Sequence, residues 1–157
     1  MMARDPRRFR VRRRLMQGAG VLALAPWLPA RAAERDLPDI PALSAFIAGR
    51  SPRWGRVRLA LPQLADNGQT VPMKVTVDGP FAPGSYVSAI HLFSQAYPVP
   101  EMAVFEFPAP VERIEVDSRI RLAESQRIVA IAAMSDGTLH AAVAEVIVTI
   151  AGCMDGT

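Results

Sequence analysis

The sequence is poor in cysteine, in aromatic residues and in long apolar runs. Its 157 residues include one cysteine, Cys153, which excludes an internal disulfide and an all-cysteine metal site. Aromatic side chains make up 6% of the chain, too few to favour base-stacking platforms for nucleic acid. No His, Asp and Glu set has metal-ligand spacing, and no glycine-rich segment continues as a phosphate loop, so we expect neither a metal nor a cofactor. Apolar residues still reach 50%, enough for the core of one domain.

Positive charge is confined to the N-terminus. Residues 1–32 contain eight arginines and one aspartate, a net charge of +7. Residues 33–157 contain 10 basic and 14 acidic side chains, a net charge of −4. The overall charge of +3 therefore does not describe a basic domain that binds nucleic acid or an anionic membrane.

Residues 1–32 have the layout of a signal peptide for export. An arginine-rich segment precedes a moderately apolar stretch at 15–28, and Ala30 and Ala32 form a small-x-small cleavage signal. The apolar stretch is too short, and too interrupted by Gly and Pro, to form a stable membrane anchor.

Within this segment, Arg12 and Arg13 resemble the arginine pair of the twin-arginine motif, which is followed here by a variable residue and two apolar ones. We therefore expect export by the twin-arginine pathway, a mature chain that begins near Ala33, and a periplasmic location.

The mature chain opens with the pattern of one short helix. Asp39 is predicted near the N-cap, Pro41 suits the first turn, and Gly49 is a plausible C-terminal stop. Apolar residues between them recur at helical spacing, at Leu43, Phe46 and Ile47.

From residue 55 onward the pattern is that of short strands at 8–12-residue spacing, with no long helix between them. Strands are predicted at 57–61, 71–77, 86–93, 102–107, 111–116, 119–123, 126–134 and 139–150. Pro72 suggests an edge or a start position, and the apolar run 128–133 is typical of a central strand buried on both faces. We predict an all-β fold over 33–152, an immunoglobulin-like antiparallel β-sandwich with one short N-terminal helix.

The single cysteine follows directly on the last predicted strand. Small residues accompany it, at Ala151, Gly152 and Gly156. We expect the tail 153–157 to lie outside the core, with the thiol on a flexible arm that reaches roughly 10 Å. An unpaired cysteine in an exported protein indicates an intermolecular bond or a free, reactive thiol. Such an arm suits a substrate handle better than a nucleophile, which an enzyme holds rigidly beside its base.

Two other interpretations stay open from the residues alone. Cys153 would be a small buried apolar side chain, although its glycine-containing tail disfavours this. Alternatively, a thiol enzyme would pair Cys153 with His91 or His140, the other two nucleophilic bases in the chain.

Several segments, in this order and spacing, resemble the SoxY family, the sulfur-carrying subunits of the periplasmic Sox thiosulfate-oxidation system. They are LPQLADNGQTVP at 61–72, YPVP at 97–100, SRIRLA at 118–123, QRIVA at 126–130, MSDG at 134–137 and VTIAGC at 148–153. Each segment is weakly specific alone, and together they are spread over residues 61–153, which is most of the mature chain.

The resemblance implies an immunoglobulin-like sandwich that pairs with a second β-sandwich subunit, SoxZ. It implies that Cys153 binds thiosulfate through its sulfane sulfur, and that the loaded arm is presented to a c-type cytochrome and to hydrolysing enzymes. The protein would then be a carrier without a complete active site of its own, exported by the twin-arginine route.

The tail departs from the Gly-Gly-Cys-Gly that is typical of the family. Ala151 replaces the first glycine, Met154 replaces the glycine after the cysteine, and residues 155–157 lengthen the end. Met154 adds bulk beside the thiol, and Asp155 adds negative charge near an anionic adduct. A second hypothesis therefore remains, a divergent interaction module that binds a partner without carrying sulfur.

Overall fold

The computed structural model describes residues 36–96 and 99–149. Its elements are α1 Pro41–Ile47, β1 Arg53–Trp54, β2 Val57–Ala60, β3 Leu64–Ala65, β4 Val71–Val77, β5 Val87–Ser94, β6 Glu101–Glu106, β7 Ile114–Ile120, β8 Gln126–Met134 and β9 Leu139–Val148. Within these residues, no helix is both long enough and apolar enough to cross a membrane. The proposed signal peptide at 1–32 and the tail at 153–157 lie outside the described residues.

The strands form two sheets. The larger has the order β1-β9-β8-β5-β6, with β3 also pairing with β9, and the smaller has the order β2-β4-β7. The main pairings are antiparallel, whereas β1 and β3 add two short parallel pairings along the outer edge of β9. Strands β2, β4 and β7 correspond to A, B and E of an immunoglobulin domain, and β6, β5, β8 and β9 to C′, C, F and G. The predicted all-β sandwich with one short helix is confirmed.

The main core lies between the two sheets. In β4 the buried residues alternate with more exposed ones, so that Met73 and Val75 face inward while Lys74 and Thr76 face solvent. The facing sheet contributes inward side chains such as Ile90 and Leu92, both 0% exposed. This period-two pattern of apolar residues is what makes the two sheets pack face to face.

A second core lies on the outer face of the larger sheet, where α1 covers it. Ile40 and Leu43 pack there with Phe93, Val129 and Ile131. The helix explains why β8 is apolar on both faces: one face meets the smaller sheet and the other meets α1. The predicted central position of this strand, between β5 and β9, is confirmed.

The helix ends differ in part from the sequence prediction. The N-cap is Ile40, in an extended conformation and without a side-chain cap, so Asp39 lies next to the N-cap as predicted but does not cap the helix. Ile40 is 2% exposed, which indicates that burial rather than capping sets the helix start. At the other end Ala48 is left-handed and Gly49 has a φ of 79°, which confirms the predicted stop.

Strand boundaries differ where pairing decides them. The segments predicted as separate strands at 111–116 and 119–123 form one strand, β7, because it pairs residue for residue with β4 from Ile114 to Ile120. Pro72 lies near the start of β4, in the part that β2 does not reach, so its missing N–H interrupts no pairing on that side.

Candidate functional site

The residues that the sequence assigns to function lie mostly outside the described residues. These are Cys153 with Ala151, Gly152 and Gly156 in the tail, and Arg12, Arg13, Ala30 and Ala32 in the signal segment. What the structure does describe is the base of the tail, at the end of β9.

Hydrogen bonds hold the end of β9 from both sides. On one side, the N–H of Ile147 donates to the carbonyl of Gln63 at 2.9 Å, and the N–H of Thr149 donates to the carbonyl of Ala65 at 3.0 Å. On the other, the N–H of Val148 donates to Oγ of Ser125 at 2.8 Å. The base of the tail is therefore a defined point on the sandwich, and Cys153 lies four residues beyond Thr149.

The covalent length of the tail limits where the thiol can act. Four extended residues span about 13 Å. His140 precedes Thr149 by nine residues along an extended strand, which is about 30 Å. His91 pairs with Ile131, which pairs with Ala141, so it lies about 26 Å from the same point along the strand direction. Neither histidine is within reach of Cys153, which argues against the thiol-enzyme interpretation.

His91 instead joins α1 to the larger sheet. Its Nδ1 lies 2.7 Å from Oε1 of Glu101 on β6, and its ring centroid lies 4.2 Å from that of Phe46 on α1. Phe93, two residues along β5, completes the cluster with a ring centroid 5.5 Å from that of Phe46. The carboxylate of Glu101 pairs with Nδ1 of His91, and the ring of His91 packs against the two phenylalanines. A structural role therefore accounts for His91.

His140 is buried near the start of β9. The residue is 5% exposed, and its Nδ1 has no hydrogen-bond partner among the described residues. Burial lowers the pKa of His140 below its ordinary value of 6.5, and the nearby Arg56 and Arg53 lower it further. The imidazole is therefore neutral at pH 7 and lies inside the fold, about 30 Å along the strand from the tail base.

The groups beside the base of the tail are mainly acidic or neutral. Oγ1 of Thr149 donates to the backbone carbonyl of Asp66 at 3.1 Å, and Glu124 immediately precedes Ser125. Both carboxylates are on exposed residues. In residues 36–96 and 99–149, no three His, Cys, Asp or Glu side chains cluster as metal ligands would. This part of the tail base therefore presents neither a catalytic base of the histidine type nor a metal centre.

The outer face of the smaller sheet is charged and paired within itself. Nζ of Lys74 lies 3.1 Å from carboxylate oxygens of both Glu115 and Asp117. The hydrogen bond to Glu115 raises the pKa of Lys74, and the same bond lowers the pKa of Glu115. This face has the character of an ordinary solvated sheet surface.

A cavity of about 340 Å³ opens between the edges of the two sheets. Met102 and Phe105 of β6 line one side and Ile120 of β7 lines the other. At its polar end, Ser94 and Gln126 are buried and hydrogen-bonded to each other. The cavity is mainly apolar, a form that accepts a side chain of a partner.

Sequence reasoning did not find the residues that fix the tail base. Strand β3 has two residues, too few for a periodic pattern, and it exists only through its pairing with β9. Ser125 gives no local signal for its bond to Val148, which lies 23 residues away. The 61–72 segment, already singled out by its resemblance, contains β3 and is the one hint that was present.

Comparisons with known proteins agree with this architecture. A family model described as sulfur oxidation protein SoxY matches residues 44–153. The solved structure of the sulfur carrier protein SoxY from Chlorobium limicola f thiosulfatophilum is 30% identical, with 69% of this chain and 94% of that chain covered and a TM-score of 0.54. None of the curated proteins compared with the chain matches it.

Superoxide reductases share the fold. The neelaredoxin of Ignicoccus hospitalis is 17% identical, with 60% of this chain and 80% of that chain covered and a TM-score of 0.52. A putative superoxide reductase from Thermotoga maritima is 19% identical, with 63% and 88% covered and a TM-score of 0.51. At these identities the likeness concerns the sandwich alone. The family match, by contrast, spans most of the chain and ends on its single cysteine, and this protein belongs to the SoxY family.

Proposed function

We propose that this protein is a covalent carrier of thiosulfate-derived sulfur, with Cys153 as the attachment point. The observation that carries the proposal is that the family match, 44–153, extends through β9 to Cys153 itself. The fixed base of the tail supports it, because Cys153 lies only four residues beyond Thr149, whose N–H is bonded to the carbonyl of Ala65. The similar protein from Chlorobium limicola is described as a sulfur carrier.

Loading is an oxidation. The thiol of Cys153 and the sulfane sulfur of thiosulfate form an S–S bond, giving a cysteine S-thiosulfonate, one proton and two electrons. A c-type cytochrome accepts the two electrons, and the proton leaves to solvent. A model cysteine has a pKa of about 8.5, so a few per cent of the thiol is ionised near pH 7. An external oxidase therefore drives the step, and hydrolysing enzymes later act on the loaded arm.

A carrier fits the geometry better than a thiol enzyme. Both histidines lie more than about 25 Å from the tail base along the strand direction, and four residues span about 13 Å. The altered tail, with Met154 and Asp155 after the cysteine, is the observation that favours the second candidate, an interaction module that no longer carries sulfur.

We also propose a heterodimer with a SoxZ-like β-sandwich subunit. Strands β6 and β7 end their sheets, and no described strand pairs with their outer sides. Open edges of this kind are points at which a partner strand can add. The apolar cavity between them, about 340 Å³ in volume, supplies a place for an anchoring side chain.

The test of the carrier assignment is Cys153→Ser. The wild-type mature protein, incubated with thiosulfate and a Sox-type c-type cytochrome, is expected to gain the mass of a thiosulfate adduct, and the variant is expected to gain none. Because the tail lies beyond the hydrogen bonds that hold Thr149, the variant should keep the wild-type unfolding midpoint and its SoxZ-like subunit in sedimentation. An adduct on the serine variant, or none on the wild type, would refute the carrier role and favour the interaction module.

The proposed location is the periplasm, reached through the twin-arginine pathway. Replacing Arg12 and Arg13 with lysine preserves charge but removes the guanidinium pair. The precursor should then accumulate in the cytoplasm, as fractionation and immunoblotting would show. Undiminished periplasmic protein from that variant would exclude this route.

A further inference from the structure

Two large apolar side chains lie exposed side by side at the base of the tail. Leu64 of β3 and Ile147 of β9 occupy matching positions in the parallel pairing and are 56% and 52% exposed. Beside Ile147 opens a hollow of about 360 Å³, which Leu61 also lines. We call Leu61, Leu64 and Ile147 the tail-base patch. A single exposed apolar side chain is common, but a paired set beside a hollow forms a continuous surface that a partner can bury.

The short distance between Cys153 and this patch indicates that the partner is an enzyme that acts on the thiol. Cys153 lies four residues, about 13 Å of extended chain, beyond Thr149. Ile147 lies two residues before Thr149, about 7 Å along the strand. The thiol therefore lies within about 20 Å of Ile147, so the surface of an enzyme that encloses the thiol is close enough to contact the tail-base patch.

Charge narrows the chemistry of that partner. Thiosulfate and its adduct on Cys153 are both anions, so the active-site entrance of the loading oxidase needs cationic groups. Residues 33–157 carry a net charge of −4, and the exposed residues Asp66 and Glu124 lie beside the tail base. The apolar patch of this protein, with acidic residues beside it, would complement an oxidase surface that has cationic groups at its active-site entrance and an apolar side chain next to them.

We infer that the tail-base patch is the docking surface for the oxidase that loads thiosulfate onto Cys153, an inference that rests on the proposed function. The oxidase places an apolar side chain at the hollow and cationic groups toward Asp66 and Glu124. The patch contributes binding and not chemistry, because it lies outside the tail that carries the thiol.

The experiment compares two double variants of the mature carrier, with its SoxZ-like subunit where this co-purifies. Leu64→Ser with Ile147→Ser, the patch variant, removes the two exposed apolar side chains of the patch. Val111→Ser with Ala82→Ser is the control, since both residues are exposed, neither lies on β6 or β7, and both lie near the Val77 end of β4, away from the tail base. Haem reduction is followed at varied carrier concentration, with intact mass confirming the adduct. Loss of docking raises KM with kcat unchanged, so the patch variant should lose about ten-fold in kcat/KM through KM, and the control less than about two-fold.

Alkylation of Cys153 by iodoacetamide should proceed at the same rate in all three proteins, because a small reagent needs no docking. Loading of the patch variant at the wild-type rate, with the adduct present, would overturn the docking inference and leave the carrier role intact. Absence of an adduct on the wild type would remove the carrier role and the inference with it. The patch variant, unlike the control, could fail to bind the SoxZ-like subunit, or could be monomeric where the wild type forms a self-dimer. Either result would show that the patch is a subunit interface and that the inference is wrong.

Discussion

The two ends of β9 belong to one strand but to different environments. At its start, Leu139 and Ala141 are 2% and 1% exposed beneath α1, and His140 is buried on the other face. At its end, Val146 and Val148 pack on the main core, whereas Ile147 is exposed beside Leu64 on the outer face. Strand β3 holds the backbone there on one side and Ser125 on the other. The amino-acid pattern is apolar at both ends. The two ends differ in what lies on the outer face of the sheet. The helix α1 packs on the start of the strand, whereas the end is accompanied only by the two-residue strand β3 along its edge.

This contrast shows that one strand can contribute to the stable core at its start and provide an accessible attachment point for the tail at its end. Burial on both faces makes the start of β9 a part of the core. At the far end, hydrogen bonds hold the backbone while the outer-face side chains of Leu64 and Ile147 stay exposed. A carrier needs that combination, since its reactive group must be reachable while its base stays fixed.

The largest effect is expected from breaking the covered end. Leu43→Ala removes a 1% exposed side chain that packs α1 on the sheet, and such truncations cost about 3 kcal/mol in the free energy of unfolding. Leu64→Ala is the matched control at the open end and should change that free energy by less than about 0.5 kcal/mol. Urea unfolding of both mature variants is the measurement. Equal losses would show that the two ends do not differ in this way.

A smaller decrease in stability is expected when the pH is lowered, because His140 is buried as a neutral side chain. Its pKa is lowered by burial, so the unfolded chain binds a proton before the folded one does as the pH falls. Stability should therefore be maintained above the ordinary value of 6.5 and decline as the pH falls below it. Asp136 and Glu115 have lowered pKa values, and the stabilisation they contribute is lost in a lower range, as the pH falls below 3.8 and 4.5, their ordinary values.

His140→Leu isolates this histidine. Urea midpoints measured at pH 7, 6 and 5 should fall less steeply in the variant than in the wild type, whatever the variant's stability at pH 7. Parallel profiles would mean that His140 does not drive the acid sensitivity.

The smallest effect is expected at the open end. Ser125→Ala removes the oxygen that accepts the N–H of Val148 at 2.8 Å, a bond whose loss costs about 0.5–1 kcal/mol. Amide hydrogen exchange at Val148 should accelerate while the global unfolding midpoint changes little. Ser88→Ala is the control, since Oγ of Ser88 donates to Ala133 near the other end of the sheet. If Val148 exchanges equally fast in both variants, Ser125 does not hold the tail base.

Much of this protein could be predicted from the chain itself. Alternation in 71–77 and the apolar run in 126–134 predicted β4 and β8 with their boundaries, because strand burial leaves a period-two or continuous apolar pattern in the sequence. Local composition also singled out Cys153, since one cysteine among small residues after a strand has few structural uses.

Other features depend on contacts between distant segments, and only the tertiary structure decided them. The helix start at Ile40 follows from burial against the sheet, not from Asp39, and β7 is one strand because β4 pairs along its whole length. Strand β3, the hold of Ser125 on Val148 and the separation of both histidines from the tail are also set by sheet pairing. The spacing of apolar residues shows which face of a segment is buried. Which other segment packs against that face or pairs with that strand is decided only when the sandwich assembles.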